Sequence, residues 1–408
     1  MIPIHELPYP LPEHWQWKYL DSIAEIIMGQ SPIGDATSDD ASYTPLIGGA
    51  TDMGDLFPTI TRYTKKPTKL SKKDDVIICV RATLGKPIFS DGEYCLGRGV
   101  AALRPRAVSK DFLRYALTNF EQYLYDNAKG STFLQIASKL LKRMPIPLPP
   151  LDEQQRIVAL LDELFGKLDE AKALAQAVVD GSKLRRAAIL HKAFAGELSK
   201  HWRDEHGTTL DSWQKKFLSE VLLPMQTKRP TGETFRYIDI DSIDNERQTV
   251  RAPKIIETAE APSRARRAIE SGDVLFSMVR PYLKNVALID ESLKDCIAST
   301  GFFVCKCKEN LFPEFLYQFL CFDKTISYLT QFMKGDNSPS IRQNEFLNTP
   351  INLPPLEEQK EIVRLLDDLL GREQRTKDLA LKTVERVELM KKSILARTFR
   401  GELGTNKF

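Results

Sequence analysis

A chain of 408 residues is long enough for about two to four domains and too long for a single small core. With 42% apolar and 28% charged residues, 21 glycines and 24 prolines, its composition excludes disordered and collagen-like proteins. Lys+Arg 58 against Asp+Glu 55 leaves a net charge of +3, which excludes a protein that coats nucleic acid through bulk charge; binding to DNA or RNA requires local patches.

The N-terminal stretch, MIPIHELPYPLPEHW, lacks the basic start and apolar block of a secretory leader. Apolar runs such as Val76 to Val80 are far short of the roughly 20 residues of a membrane helix, so a cytoplasmic protein with no membrane contact is expected. Cys79, Cys95, Cys296, Cys305, Cys307 and Cys321 form no C-x-x-C pair and read as reduced core thiols.

Residues 1–144 are rich in β-branched and aromatic residues, with strand-like runs such as Val76 to Val80. Region 145–200 opens on PIPLPPLDEQQRIVALLDELFG, region 201–349 is again strand-like, and region 350–408 opens on PINLPPLEEQKEIVRLLDDLLG. The second and fourth regions are copies, roughly half identical and gapless as far as Phe194-Ala195-Gly196-Glu197-Leu198 and Phe399-Arg400-Gly401-Glu402-Leu403. In each, two prolines stiffen the lead-in and acids (Asp152-Glu153, Glu357-Glu358) complement the positive end of a helix dipole. Ile157, Leu160, Leu161, Leu164, Leu168, Ala171, Leu174 and Val178 then recur at helical spacing, as do Ile362, Leu365, Leu366, Leu369, Leu379 and Val384. The spacing predicts two long amphipathic helices, the first with a break near Gly181, ending at Gly196 and Gly401.

A helix of this length with one apolar stripe needs a partner, and its own copy supplies one. The expected architecture is therefore α+β. Two mixed α/β globules are separated by two long helices packed as an antiparallel coiled coil, a pseudo-two-fold internal repeat; each helix lying on its own globule is the alternative. The globules correspond faintly. Trp15-Gln16 with Lys18-Tyr19-Leu20 matches Trp213-Gln214 with Lys216-Phe217-Leu218, and Asp75-Val76 leading to Arg81 resembles Asp273-Val274 leading to Arg280.

Catalytic signatures are missing: no phosphate loop, G-x-G-x-x-G, amino-methyltransferase motif, serine elbow or metal spacing. His201 and His206 beside Trp202 suit a loop or helix end, Cys305 and Cys307 suit buried packing, and Asp239 with Asp241 is too little for a nuclease. A recognition or scaffold protein follows. Basic residues do cluster: Arg62, Lys65, Lys66, Lys69, Lys72 and Lys73, then Lys139, Lys142 and Arg143, in the first globule. The second has Lys228, Arg229, Arg264, Arg266, Arg267, Arg280 and Lys284. Such runs can be plain solvated surface, but their presence in both globules favours DNA, whose phosphates take Lys and Arg and whose base edges take Arg, Asn and Gln. Candidate reading residues are Gln30, Ser31, Lys65, Lys66, Arg81, Lys129, Ser131 and Thr132 in the first half. Gln226, Lys228, Arg229, Arg264, Arg266, Arg267, Arg280, Lys284, Asn337, Ser338 and Arg342 are their counterparts in the second.

The duplicated PLPPLDEQQRIVALLDEL and NLPPLEEQKEIVRLLDDL, each ending in Phe-x-Gly-Glu-Leu and alternating with two divergent globules, resemble the specificity (S) subunits of Type I restriction-modification systems over the whole chain. The resemblance implies two target recognition domains reading the halves of an asymmetric bipartite double-stranded DNA site, with the helices setting the spacer. It implies a non-enzymatic subunit that docks two methyltransferase (M) and two restriction (R) subunits. S-adenosylmethionine, ATP and Mg would belong to those partners, and this chain would bind no cofactor or metal. A DNA-independent coiled-coil scaffold is the alternative.

Overall fold

The repeated proline motif ends a strand and begins a long helix in both halves of the computed structural model, which describes residues 8–130 and 134–403. The helices are Leu151–Phe194 and Leu356–Phe399, each of 44 residues, or about 66 Å at 1.5 Å per residue. The chain divides into two compact units. One comprises residues 1–176 with 382–408, the other residues 177–381, so each holds one globule, the first part of one long helix and part of the other.

In the first unit the central sheet is antiparallel, in the order Ala24–Met28, Val100–Pro105, Val76–Arg81, Thr83–Phe89. A smaller sheet of Thr37–Ser38, Tyr63–Thr64, Thr44–Ile47 and Cys95–Leu96 adjoins it in sequence. The second unit repeats the central sheet as Leu222–Leu223, Phe302–Cys307, Val274–Ser277, Val286–Leu288. Its other four-stranded sheet runs Lys254–Glu257, Thr234–Ile238, Ile297–Ser299, Ala265–Ala268, and the two globules differ most there. A two-stranded ribbon precedes each long helix. Gln16–Tyr19 pairs with Pro145–Leu148, and Gln214–Phe217 with Pro350–Leu353, in the same register.

Within each unit the two helices run antiparallel, as sequence periodicity predicts. In the first, Lys172 bonds Glu388 at 2.6 Å and Lys391 bonds Asp169, so residue numbers rise along one helix as they fall along the other. In the second, Arg185 Nε reaches both Glu373 carboxylate oxygens at 3.1 and 3.0 Å. Ile157 and Leu161 are fully buried with Leu395 and Phe399 of the partner helix, in one core with Phe112 and Leu113 of the globule. Ile362 and Leu366 are buried likewise with Leu190 and Ala193 and with Phe315 and Leu316. Leu160, Leu164, Leu365 and Leu369 are half-buried. Packing on the copy and packing on the globule are thus combined.

Two expectations need correction. Leu174 and Leu379 do not join the apolar seam; they are 72% and 65% exposed, and the neighbouring Ala175 and Ala380 are buried instead. One residue turns a helix by about 100°, and the alanines at matching positions face inward. Nor does the first helix break at Gly181. A Cβ there would lie 2.5 Å from the Arg185 guanidinium, which folds back onto the Val178 carbonyl. The glycine is a notch for that arginine.

The start of each long helix is tied to its globule by a glutamine. Gln154 Oε1 accepts from the Ser109 N–H at 2.9 Å while its amide donates to the Pro149 carbonyl. Gln359 does the same with the Phe312 N–H and the Pro354 carbonyl at 2.8 Å each. The preceding glutamate is buried in both. Glu358 accepts from Arg203 at 2.5 Å, Ser199 at 2.8 Å and the Trp213 indole at 2.9 Å. Its counterpart Glu153 has only His14 at 3.0 Å, and its other oxygen is buried without a partner among the described residues.

Removing one member of a buried, hydrogen-bonded ion pair strands the other. Glu358→Gln is therefore expected to lower the unfolding free energy of the second unit by about 3–5 kcal/mol, against under ~1 kcal/mol for Lys172→Ala in an exposed pair. Urea denaturation of the two variants checks this.

Candidate nucleic-acid interface

In the first unit the chain leaves the central sheet at Met28 and Arg81 and re-enters it at Thr83 and Val100, and antiparallel pairing brings all four points to one end. Cross-links fix the loops there. The Gly29 N–H donates to the Val100 carbonyl, Gln30 to Leu96, and Val80 to Gly99. Lys129 and Arg81 both bridge Gln135. The structure thereby gathers Gln30, Ser31, Arg81 and Lys129 around one sheet end. Gly29 is required by close approach, since a Cβ would sit 2.1 Å from the Gly97 carbonyl oxygen.

Arg98, which sequence reading missed, belongs to this group: its backbone N–H and its Nε both donate to Ser31 Oγ at 3.2 Å. The Ser31 hydroxyl is thus already engaged. Asp52 holds the Gly48-Gly49 backbone by accepting both N–H groups and is paired with Arg62 at 3.1 Å, so part of the Arg62 charge is committed locally. Lys65 and Lys66 flank the small sheet, exposed, with Lys65 Nζ 5.1 Å from the Tyr43 ring centre. Ser131 and Thr132 lie outside the described residues.

In the second unit the corresponding end of the central sheet is marked by Ser277, Val286 and Phe302, whereas the chain leaves the sheet at Leu223 opposite Lys306, nearer the other end. Gln226, Lys228 and Arg229 run beside Arg266 and Arg267, with the Lys228 N–H on the Arg266 carbonyl and Thr227 bridging Arg267. Arg264 accepts the Thr300 N–H, and the following Gly301 accepts that of Met278. Arg280 donates to the Asn337 carbonyl at 2.8 Å, which brings Asn337 and Ser338 to the group. Arg267 is half-buried, its Nε has no partner among the described residues, and burial depresses its pKa. Lys284 is paired with Asp323, which commits its charge locally, whereas Arg342 precedes the helix Gln343–Leu347 with only its backbone N–H on Glu345; its side chain is exposed, and the neighbouring Ile341 N–H donates to the Met278 carbonyl.

The sequence match of Arg81 with Arg280 is off by one. Arg81 bridges Gln135 as Val279 bridges Ser340, and it is Ala82 that corresponds to Arg280. Both of the latter adopt the left-handed conformation, at φ 61° and 49°, and donate their N–H groups at 2.8 Å to the carbonyls of Leu134 and Pro339. Side-chain-bearing residues rarely occupy this region, so the repeated kink marks a held, strained loop root. No sequence signal short of the repeat itself could have shown it.

The far ends of the sheets differ electrostatically. Arg104 forks onto Asp75 with two 3.0 Å bonds. The equivalent Lys306 turns to Glu270, and burial pushes the Asp273 carboxyl up to about 6 despite the Glu270 N–H and nearby Lys306. Among the described residues no cluster of His, Cys, Asp and Glu could hold a metal, and no helix is long and apolar enough to cross a membrane. The cysteines are free thiols.

Each unit joins a globule built on a central antiparallel sheet to a long helix that begins at a repeated proline motif. The sequence matches the family described as Type I restriction modification DNA specificity domain over residues 12–178 and again over 211–383. A putative Type I restriction enzyme MjaX specificity subunit of Methanocaldococcus jannaschii is 32% identical over 155 residues, 37% of this chain and 36% of that protein. The chain therefore spans about a third of that relative in the matched region. The EcoKI specificity subunit of Escherichia coli K12 is 23% identical over 420 residues, 96% of this chain and 90% of that one. The HsdS subunit from Thermoanaerobacter tengcongensis shares the fold, with TM-score 0.65 at 20% identity over 98% of this chain and 100% of that one. The chain belongs to the Type I restriction-modification specificity subunits, the non-catalytic members of those systems.

An acid whose folded pKa is raised keeps its proton while the unfolded chain has lost it, so stability falls as pH rises from about 4 to about 6 and stays lower above. Asp273→Asn should remove that slope and raise the melting temperature of the second unit at neutral pH, as calorimetry across this window would record.

Proposed function

We propose that the chain binds double-stranded DNA sequence-specifically and reads an asymmetric bipartite site, one half per globule. The observation that carries this reading is the repeated loop root: the strained turns at Ala82 and Arg280 stand where Gln30, Arg81 and Lys129 gather in one unit and Arg264, Arg280 and Asn337 in the other. Arginine with asparagine or glutamine can form bidentate pairs with base edges in the major groove, while lysines neutralise phosphates. The loops differ between halves, so the two half-sites differ, and the long helices set the number of unread bases between them. Phosphate contacts make binding fall with salt.

The partners in this reading are two methyltransferase (M) and two restriction (R) subunits, which use S-adenosylmethionine, ATP and Mg; this chain holds no cofactor. Leu174 and Leu389 in the first unit, and Leu184 and Leu379 in the second, are exposed at matching positions on the long helices. Two equivalent apolar patches suit two copies of one docking partner, since apolar side chains repeated on an exposed face signal an interaction surface. Leu151, 57% exposed beside the prolines, lies at the start of the same helix.

Mapping methylated adenines in a host carrying the system tests the assignment. Exchanging residues 1–144 for those of a relative should change one half-site and leave the other; a change in both, or in neither, contradicts it. Arg280→Ala should cost about 1–3 kcal/mol of binding and relax one base position if it reads an edge, whereas Lys129→Ala should weaken all sequences alike. Leu174→Glu with Leu389→Glu should reduce bound methyltransferase from two copies to one by light scattering.

A further inference from the structure

In the first unit the residues just before the two-stranded ribbon are stitched onto the globule by one aromatic side chain. The Tyr9 ring lies 5.1 Å from that of Trp17, whose indole donates to the Tyr9 carbonyl, and the Tyr9 hydroxyl donates to the Phe399 carbonyl at 3.1 Å. Trp17 in turn packs on Phe120 at 6.1 Å. The ring is thereby wedged between the ribbon, the end of a long helix and the globule.

The second unit has the same three walls and lacks the wedge. Lys215 stands in the ribbon where Trp17 does, opposite Asn352 as Trp17 is opposite Pro147. Phe194 ends its long helix as Phe399 does, and Phe322 begins the following short helix as Phe120 does. The residue six before Trp213, as Tyr9 is six before Trp15, is Gly207, which has no side chain. A cleft of about 480 Å³ lies at these walls, lined among others by Phe194, Phe322, Tyr328, His191, Lys215 and Lys324. Phe194 stacks on Phe322 at 5.1 Å, and Lys324 Nζ is 3.1 Å from His191 Nε2. Every ionisable group in the lining other than the tyrosine is basic.

We infer that this cleft receives an aromatic side chain, flanked by a carboxylate, from an extended segment of a partner polypeptide. The first unit displays the kind of occupant that fits, a tyrosine in a proline-rich segment without regular secondary structure, and the basic rim selects acidic neighbours. The volume lies within the range of real binding pockets, and aromatic anchors in such pockets carry most of an interface's affinity.

A fluorescein-labelled peptide of residues 6–15, ELPYPLPEHW, titrated against the full chain by anisotropy, tests this. Saturable binding is expected with a dissociation constant below about 1 mM, that is, better than about −4 kcal/mol. Replacing the peptide's tyrosine by alanine should weaken it at least ~10-fold, the scale of a buried aromatic anchor. Ala195→Trp or Asn352→Trp, two exposed positions in the lining, should do the same by filling the cleft, and Lys324→Glu should weaken it several-fold. Melting curves verify that the variants fold. No saturation by about 1 mM, or binding unchanged in both tryptophan variants because the peptide displaces Tyr9 in the first unit, would overturn the proposal. So would displacement of the peptide by ATP at lower concentration, which would assign the cleft to a nucleotide.

Discussion

Neither long helix can bury its apolar residues alone, and the architecture follows from that constraint. Each carries a stripe too narrow for a core helix and too long for the globule beside it. The first turns settle on the globule, anchored by Gln154 or Gln359, while the remainder needs the antiparallel copy. Ala175 and Ala380, small and buried at matching positions, permit the close approach. The duplicated sequence is thus the physical means by which one chain provides both halves of a helix pair.

The buried carboxylates at the helix starts show how far the copies have diverged. Glu358 is saturated by Arg203, Ser199 and Trp213, whereas among the described residues one Glu153 oxygen and the Trp15 indole nitrogen have no partner. A buried polar atom without a partner costs about 1–3 kcal/mol. The first unit is the less completely satisfied of the two at this junction, although its Tyr9 wedge fills a space that the second leaves open.

The helices, their limits and their pairing were legible because periodicity and an internal copy report backbone geometry directly. The inward alanines were not, because the stripe is wide enough for Leu174 and Ala175 to compete for one face and only tertiary contact decides between them. The globule loops were legible as composition alone. That Gln30, Arg81 and Lys129 meet at one sheet end depends on cross-links such as Gln30 to Leu96 and Arg81 to Gln135, pairings between residues far apart in sequence that no local pattern encodes. Arg98 was invisible for the same reason: its partner Ser31 is 67 residues away. The kink at Ala82 falls on a residue with no preference for it, so only the fold imposes it.

The bond between Tyr9 and Phe399 closes a loop of 390 residues, and the first unit draws its helix partner from residues 382 onward. The second unit is one uninterrupted stretch. On a ribosome, therefore, the globule made first is finished last: residues 1–176 emerge with Ile157 and Leu161 exposed and wait for Leu395 and Phe399. Contacts so distant in sequence are slow to form, and the interval is when exposed apolar surface invites aggregation. Synthesis order alone thus makes the N-terminal globule the aggregation-prone half of a molecule whose two halves are otherwise built alike.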